Sequence, residues 1–333
     1  MGTAQEQNTN WMAEFYPKER IPHTSVAKYV GRDVHLEWVG PLPTDPLELV
    51  LEYKLGFDDV SDLADKTCII TYDKRKQLTV DDAKTLAQAF IDQGPCKAEY
   101  LFLQGNEFGD EGLMAIAEAI KDGALPKLLT VDFSRNGCTD KGFIAFVNVI
   151  KHCRQFRDII FSENTLGDEG FAALHEVFKR DEWPNVERIN LAGAQFARHT
   201  ISDASFLPWA TDLADGKIKM LRLEEFEMSD NDIKDAGYAA FAVAIQRGNL
   251  RKLKSLYFVS NLITDEGAGA LAAAIANNKR CKLFDIRLGF QSIDEPMAAR
   301  VTKAGGKAAI EAAGETLGRK VSCILAPLDS VED

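Results

Sequence analysis

The sequence predicts an α/β solenoid of stacked strand–turn–helix units, and three periodic observations predict it. An asparagine anchor returns at Asn106, Asn136, Asn164, Asn231 and Asn261, with a weaker Gln291 closing the series, at spacings of 30, 28, 67, 30 and 30 residues. The long gap hides a degenerate copy with Leu191 and Ala194 in the leucine and asparagine places, which splits it into 30 and 37 and leaves a short insertion. Relative to each anchor, apolar residues at −5 and −3, such as Val131 and Phe133, have the two-residue period of a strand with one face inward. A second apolar pair at +10 and +14, such as Ile116 and Ile120 or Leu271 and Ile275, lies on one face of a helix. One such unit cannot bury its apolar face alone, so the units must stack.

The elements follow in chain order. Residues 1–66 do not join the repeat, and this stretch reads as a polar arm followed by a cap or docking segment rich in proline. Its last ~45 residues carry too little core for an independent domain. A divergent first unit begins with the strand Cys68–Tyr72, as expected of a terminal repeat facing solvent on one side. The repeats run over residues 67–325, interrupted by the insertion at about 195–219. An alanine-rich helix from about Pro296 to Leu317 and a last strand around Val321–Leu325 seal the end, before a short acidic tail at 326–333.

Turn chemistry supports the same register. Asp at +4 (Asp110, Asp140, Asp168, Asp235, Asp265) suits the N-cap of the helix that follows. Gly at +6 (Gly112, Gly142, Gly170, Gly237, Gly267) lets the turn approach its neighbour. The anchor Asn is expected to bond turn backbone and form a ladder from unit to unit.

Composition restricts the function classes. With 39 Lys+Arg against 51 Asp+Glu the net charge is −12, a field that repels phosphate backbones and anionic lipid. No apolar run approaches the ~20 residues of a membrane span. The N-terminus lacks a secretory pattern, and Glu6 stands where a myristoylation signal needs Ser or Thr. The six cysteines are scattered without a CxxC, which fits reduced thiols in an intracellular compartment. Candidate chemistry dissolves into the repeat. The pairs Asp110-Glu111, Asp168-Glu169 and Asp265-Glu266 recur in register and read as caps, and the calcium-like Asp230-Asn231-Asp232 run lacks its Gly and Glu. The five histidines show no metal-binding spacing, and His175 falls at a solvent-facing phase of its helix. Gly305-Gly306-Lys307 lacks the rest of a phosphate loop, and no hydrolase or dinucleotide signature is found. No catalytic, cofactor-binding or metal residue is assigned.

The composite pattern LxxLxLxxNxLxDEGxxxLAxAL, clearest at Leu101-x-Leu103-x-x-Asn106-x-Phe108-x-Asp110-Glu111-Gly112, resembles the leucine-rich repeats of ribonuclease-inhibitor type. The resemblance covers roughly residues 67–325. It implies a right-handed horseshoe of about 7–8 repeats plus terminal caps, with a concave parallel β-sheet and convex α-helices. It also implies a non-catalytic scaffold, adaptor or assembly subunit that binds a protein on its concave face. Alternatives in the same family are activators of the GTPase Ran and actin-filament or axonemal proteins. The long acidic tail common in the Ran activators is missing.

In that geometry, strand residues between the buried leucines point out of the sheet. The residues expected to touch a partner are Tyr100, Phe102, Asp132, Asp158, Ile160, Arg188, Glu225, Glu227, Tyr257 and Arg287. Phe206 and Trp209, in the Ser205-Phe-Leu-Pro-Trp209 stretch of the insertion, are expected to form a docking loop. An alternative is that the N-terminal segment or the insertion folds over part of this face. The partner is expected to be a basic or mixed-charge protein in the cytoplasm or in a cytoskeletal or organellar complex, with no nucleic acid and no cofactor.

Overall fold

Each repeat folds as its pattern demands, an apolar-centred strand followed by an amphipathic helix. The computed structural model describes residues 44–55, 60–71, 77–194, 200–289, 303–316 and 320–326. The strands are β1 (Cys68–Ile70), β2 (Tyr100–Phe102), β3 (Thr130–Asp132), β4 (Asp158–Ile160), β5 (Arg188–Asn190), β6 (Glu225–Glu227), β7 (Ser255–Val259), β8 (Asp285–Gly289) and β9 (Ser322–Ala326). They pair in parallel, in chain order, as one sheet. The intervening helices are α1 (Val80–Gln93), α2 (Gly109–Lys121), α3 (Asp140–Val147), α4 (Asp168–Lys179), α5 (Asp203–Ala214), α6 (Asp235–Gln246), α7 (Asp265–Asn277) and α8 (Ala308–Thr316). A π-helical turn, Lys303–Lys307, runs into α8, and residues 290–302 and 317–319 of the expected closing helix and its approach lie outside the described residues.

The core lies between sheet and helices and runs without a break from Val50 to Cys323. Strand residues such as Leu101, Val131 and Leu256 and helix residues such as Ile116, Phe146 and Leu271 are all wholly buried in it. Each large apolar side chain so placed contributes ~1.5–3 kcal/mol relative to exposure. Val50, Leu51, Leu55 and Leu63 belong to the same core. Lys54 there pairs with Asp82, and Lys97 N–H donates to the Ala64 carbonyl at 2.8 Å, tying the segments 46–55 and 60–65 to the first unit.

Two side-chain ladders join the repeats. In the first, the anchor Asn spans two units. Asn164 Oδ1 accepts from the Asn136 and Cys138 amides, both at 3.1 Å, while its Nδ2 donates to the Phe133 and Phe161 carbonyls. Asn106, Asn231 and Asn261 repeat the pattern against Leu78, Ile201 and Ile233. Satisfying these buried backbone groups avoids a penalty of ~1–3 kcal/mol each.

The second ladder corrects the reading of Asp at +4. This Asp does not cap its own helix; it reaches into the next unit. Asp110 accepts from the Thr139 amide, the Thr139 hydroxyl and the Gly142 amide at 2.7, 2.7 and 3.0 Å. Asp235 does the same to Thr264 and Gly267. The carboxylate is placed by its own helix's first turn, and the orphan N–H groups it meets are those starting the following helix. The helices' own caps are Thr79, Thr139, Ser202 and Thr264. Gly at +6 is the counterpart of this Asp. A Cβ added at Gly142, Gly170 or Gly267 would stand 2.7, 2.6 or 2.5 Å from the carboxylate of the preceding unit. Gly306 joins the series at the C-terminal end, its amide donating to Asp265 at 2.7 Å.

The insertion is smaller than the sequence suggested. Asp203 opens α5 nine residues after Ala194, where Asp140 opens α3 four residues after Asn136. Glu225 follows Asp203 by 22 residues, where Arg188 follows Asp168 by 20. The surplus is five residues ahead of the helix and two behind it, so 203–214 is the repeat's own helix rather than an added loop. Residues 195–199 lie outside the described residues. Across the missing anchor the sheet keeps register, with Leu191 N–H and Gly193 N–H donating to Glu227 and Ser229 carbonyls at 2.9 Å.

Candidate partner-binding face

Alternation along each strand sends the second residue into the core and the first and third to the helix-free face of the sheet. Register then arranges these outward residues in two rows. One row runs Tyr100, Thr130, Asp158, Arg188, Glu225, Ser255, Asp285; the other runs Phe102, Asp132, Ile160, Asn190, Glu227, Tyr257, Arg287.

Side-chain bonds organise the first row. Asp158 accepts from the Thr130 hydroxyl at 2.8 Å and receives a two-pronged contact from Arg188, Nε at 3.1 and Nη2 at 2.9 Å. At the other end Tyr257 donates its hydroxyl to Asp285 at 2.8 Å, and Arg287 reaches the same carboxylate at 3.4 Å. The Arg287 guanidinium also lies 4.6 Å from the centre of the Tyr257 ring. In the second row, Asp132, Asn190 and Glu227 each accept from the amide two residues on, at 2.9, 3.1 and 2.8 Å, which fixes their side chains. Burial pushes the carboxyl of Asp132 up to about 6 and that of Glu227 up to about 7, against these donors.

The expected contact residues divide into two groups. Tyr100, Arg188, Glu225, Glu227 and Tyr257 are half-buried and Arg287 is exposed, so these six present atoms to solvent. Phe102, Asp132, Asp158 and Ile160 are 6%, 2%, 2% and 1% exposed, which corrects the expectation that they are displayed. Parallel strands ~4.8 Å apart set Phe102, Asp132 and Ile160 side by side in one row, where they shield one another. Asp285, not among the residues expected from sequence, is the one that ties Tyr257 and Arg287 together.

A family model for the leucine-rich repeat matches residues 99–117, 223–242 and 249–272. Those segments coincide with β2–α2, β6–α6 and β7–α7 of a sheet in which every unit repeats the same register. This is a leucine-rich-repeat protein. Among curated proteins none matches the chain. Among solved structures it is similar to the crystal structure of a TLR13–ssRNA13 complex, at 16% identity and a TM-score of 0.33 over 69% of this chain and 33% of that one. The chain therefore spans about a third of that chain's length.

Elsewhere on the leucine-rich-repeat protein, sequence-assigned surface residues turn out to be interior. Phe206 and Trp209 are 0% and 1% exposed. Their ring centres lie 5.2 Å apart, and Trp209 stands 5.3 Å from Phe226 and 5.5 Å from Phe171. They face the core from α5 and are unavailable to a partner, because the stretch is helix in repeat phase. His175 is also buried, its Nε2 3.0 Å from Asp212 Oδ2, and burial depresses its basicity despite that carboxylate. All six cysteines are free thiols. Among the described residues no group of three His, Cys, Asp or Glu could hold a metal ion. No described helix is long and apolar enough to cross a membrane.

Proposed function

We propose that this protein is a non-catalytic scaffold, adaptor or subunit of a larger intracellular assembly, binding a protein partner on the helix-free face of its sheet. Leucine-rich repeats generally mediate protein–protein interaction. The observation that carries the reading is the ordered stretch on β5–β8, where Asn190, Glu227, Tyr257 and Arg287 stand in one row held by hydrogen bonds and a cation–π contact. Such pre-set side chains lose little rotamer freedom on binding, which favours recognition. An aromatic ring beside charged groups is the composition of an interface anchor with its orienting rim. The net charge of −12 supports a basic or mixed-charge protein as partner and argues against nucleic acid. The free thiols support an intracellular site.

Replacing Tyr257 and Arg287 together by Ala is expected to abolish capture of the natural partner, read by affinity purification and mass spectrometry, with cooperative thermal unfolding retained. Full capture by the folded double variant would overturn the assignment of this face.

A further inference from the structure

Charges on the β5–β8 stretch are unequally matched. Arg188 is committed to Asp158, and Arg287 to Asp285 and the Tyr257 ring. Between these pairs lie Glu225 and Glu227, two residues apart on β6 and therefore on one face. Among the described residues neither carboxylate forms an ion pair within 4.0 Å, unlike Asp158 and Asp285 beside them. Around Glu227 stand Glu225 on its own strand, Arg188 and Asn190 on β5, Ser255 and Tyr257 on β7, and Ser229 and Asp230 in the segment after β6. Asp158 on β4 and Asp285 with Arg287 on β8 complete the charged surroundings.

We propose that this stretch docks a cationic, extended segment of the protein partner, seating an arginine or lysine against Glu225 and Glu227 beside Tyr257. The proposal rests on the reading that this face binds protein, and it names the partner's contacting chemistry. Charge complementarity is its argument: over β4–β8 four acids (Asp158, Glu225, Glu227, Asp285) face two arginines, Arg188 and Arg287, which leaves this part of the face two positive charges short. Arg287 against Asp285 and Tyr257 is an internal example of the contact an incoming guanidinium would make. An extended segment suits the site because its side chains alternate at the same ~6.6–6.8 Å two-residue repeat as Glu225 and Glu227. The state of these carboxyls agrees. Burial raises both: at Glu225 against the nearby Arg188 and Arg287 charges, and at Glu227 to about 7 against the Ser229 hydrogen bonds, with the like charges of Glu225 and Asp230 adding to it. Seating a cation would hold both ionised, so binding releases protons near neutrality and weakens as pH falls.

The test is fluorescence anisotropy with a short labelled peptide of alternating Arg and Ser, and Glu–Ser and Gln–Ser peptides as counterparts. The proteins are the full chain, the Glu225→Gln/Glu227→Gln variant, and a helix-side control of equal charge change, Glu111→Gln/Glu118→Gln. Only the Arg–Ser peptide is expected to bind. The sheet variant should weaken it about tenfold or more while the control leaves it unchanged, and lowering the pH from 8 to 6 should weaken wild type about tenfold but not the sheet variant. No binding of the Arg–Ser peptide, equal weakening in the control, or a pH response that survives in the sheet variant would each overturn the proposal. A natural partner lost from the Tyr257/Arg287 variant yet kept by the Glu225/Glu227 variant would overturn the cation seat alone, leaving the face assignment standing.

Discussion

The junction between α2 and α3 and the junction between α4 and α5 solve one packing problem with different residues. In the first, Asp110 meets the Thr139 and Gly142 amides, and the space that a Cβ would fill at Gly142 is taken by the carboxylate. In the second, Asp168 meets Ser202, and Ser205 stands in the glycine place with its hydroxyl donating to the same carboxylate at 2.5 Å. Burial opposes the charge on Asp168, but its Ser205 and Ser202 donors hold the carboxyl below the usual range. The second junction also leads into the repeat that lacks its anchor Asn, yet strand pairing crosses it unchanged. Main-chain pairing and the helix-side carboxylate ladder therefore carry continuity where the asparagine ladder breaks.

The largest expected effect tests whether 203–214 is an ordinary repeat helix. Phe206 and Phe143 occupy matching places and are both wholly buried. Phe206→Ala and Phe143→Ala should each cost ~3–5 kcal/mol in denaturant unfolding. A negligible cost at Phe206 alone would return the segment to the status of an added loop.

Next comes the anchor. Asn164→Ala strips the partners of two buried amides, at Asn136 and Cys138, for an expected loss of ~2–4 kcal/mol. The reverse change, Ala194→Asn, should move stability by less than ~1 kcal/mol, since the chain beside it already departs from the repeat. Calorimetry on both variants sharpens the contrast, and a large gain at Ala194 would contradict it.

A smaller loss than at the anchor is expected at the glycine place. Gly142→Ala pushes a methyl against the Asp110 carboxylate at 2.7 Å and should cost ~1–3 kcal/mol. Gly142→Ser should cost less, because its hydroxyl can repeat the Ser205–Asp168 contact. Equal melting points for the two variants would break the proposed equivalence of the junctions.

Strand and helix positions were legible because both depend on short-range apolar spacing that each copy restates. Nine strands pair where the anchors and caps placed them. The direction of the Asp contact was not legible, since +4 before a helix fits a self-cap and a neighbour-cap equally. Phe206 and Trp209 were misplaced for a related reason. With Ala194 taken as anchor, the surplus before α5 shifted the helix phase by five residues, and core aromatics fell into an apparent insertion. Of the face residues, six of the ten expected are accessible; burial of Phe102, Asp132, Asp158 and Ile160 depends on neighbours across strands, which periodicity along the chain does not encode.

Partner recognition on the helix-free face is tested most directly by site-specific photo-crosslinking in cells. A photoreactive residue is placed at Ser255, half-buried between Glu225 and Asp285, or at Met114, 39% exposed on α2. The account predicts a discrete crosslinked protein from position 255 and none from position 114. The same partner crosslinked from 114 and not from 255 would contradict it.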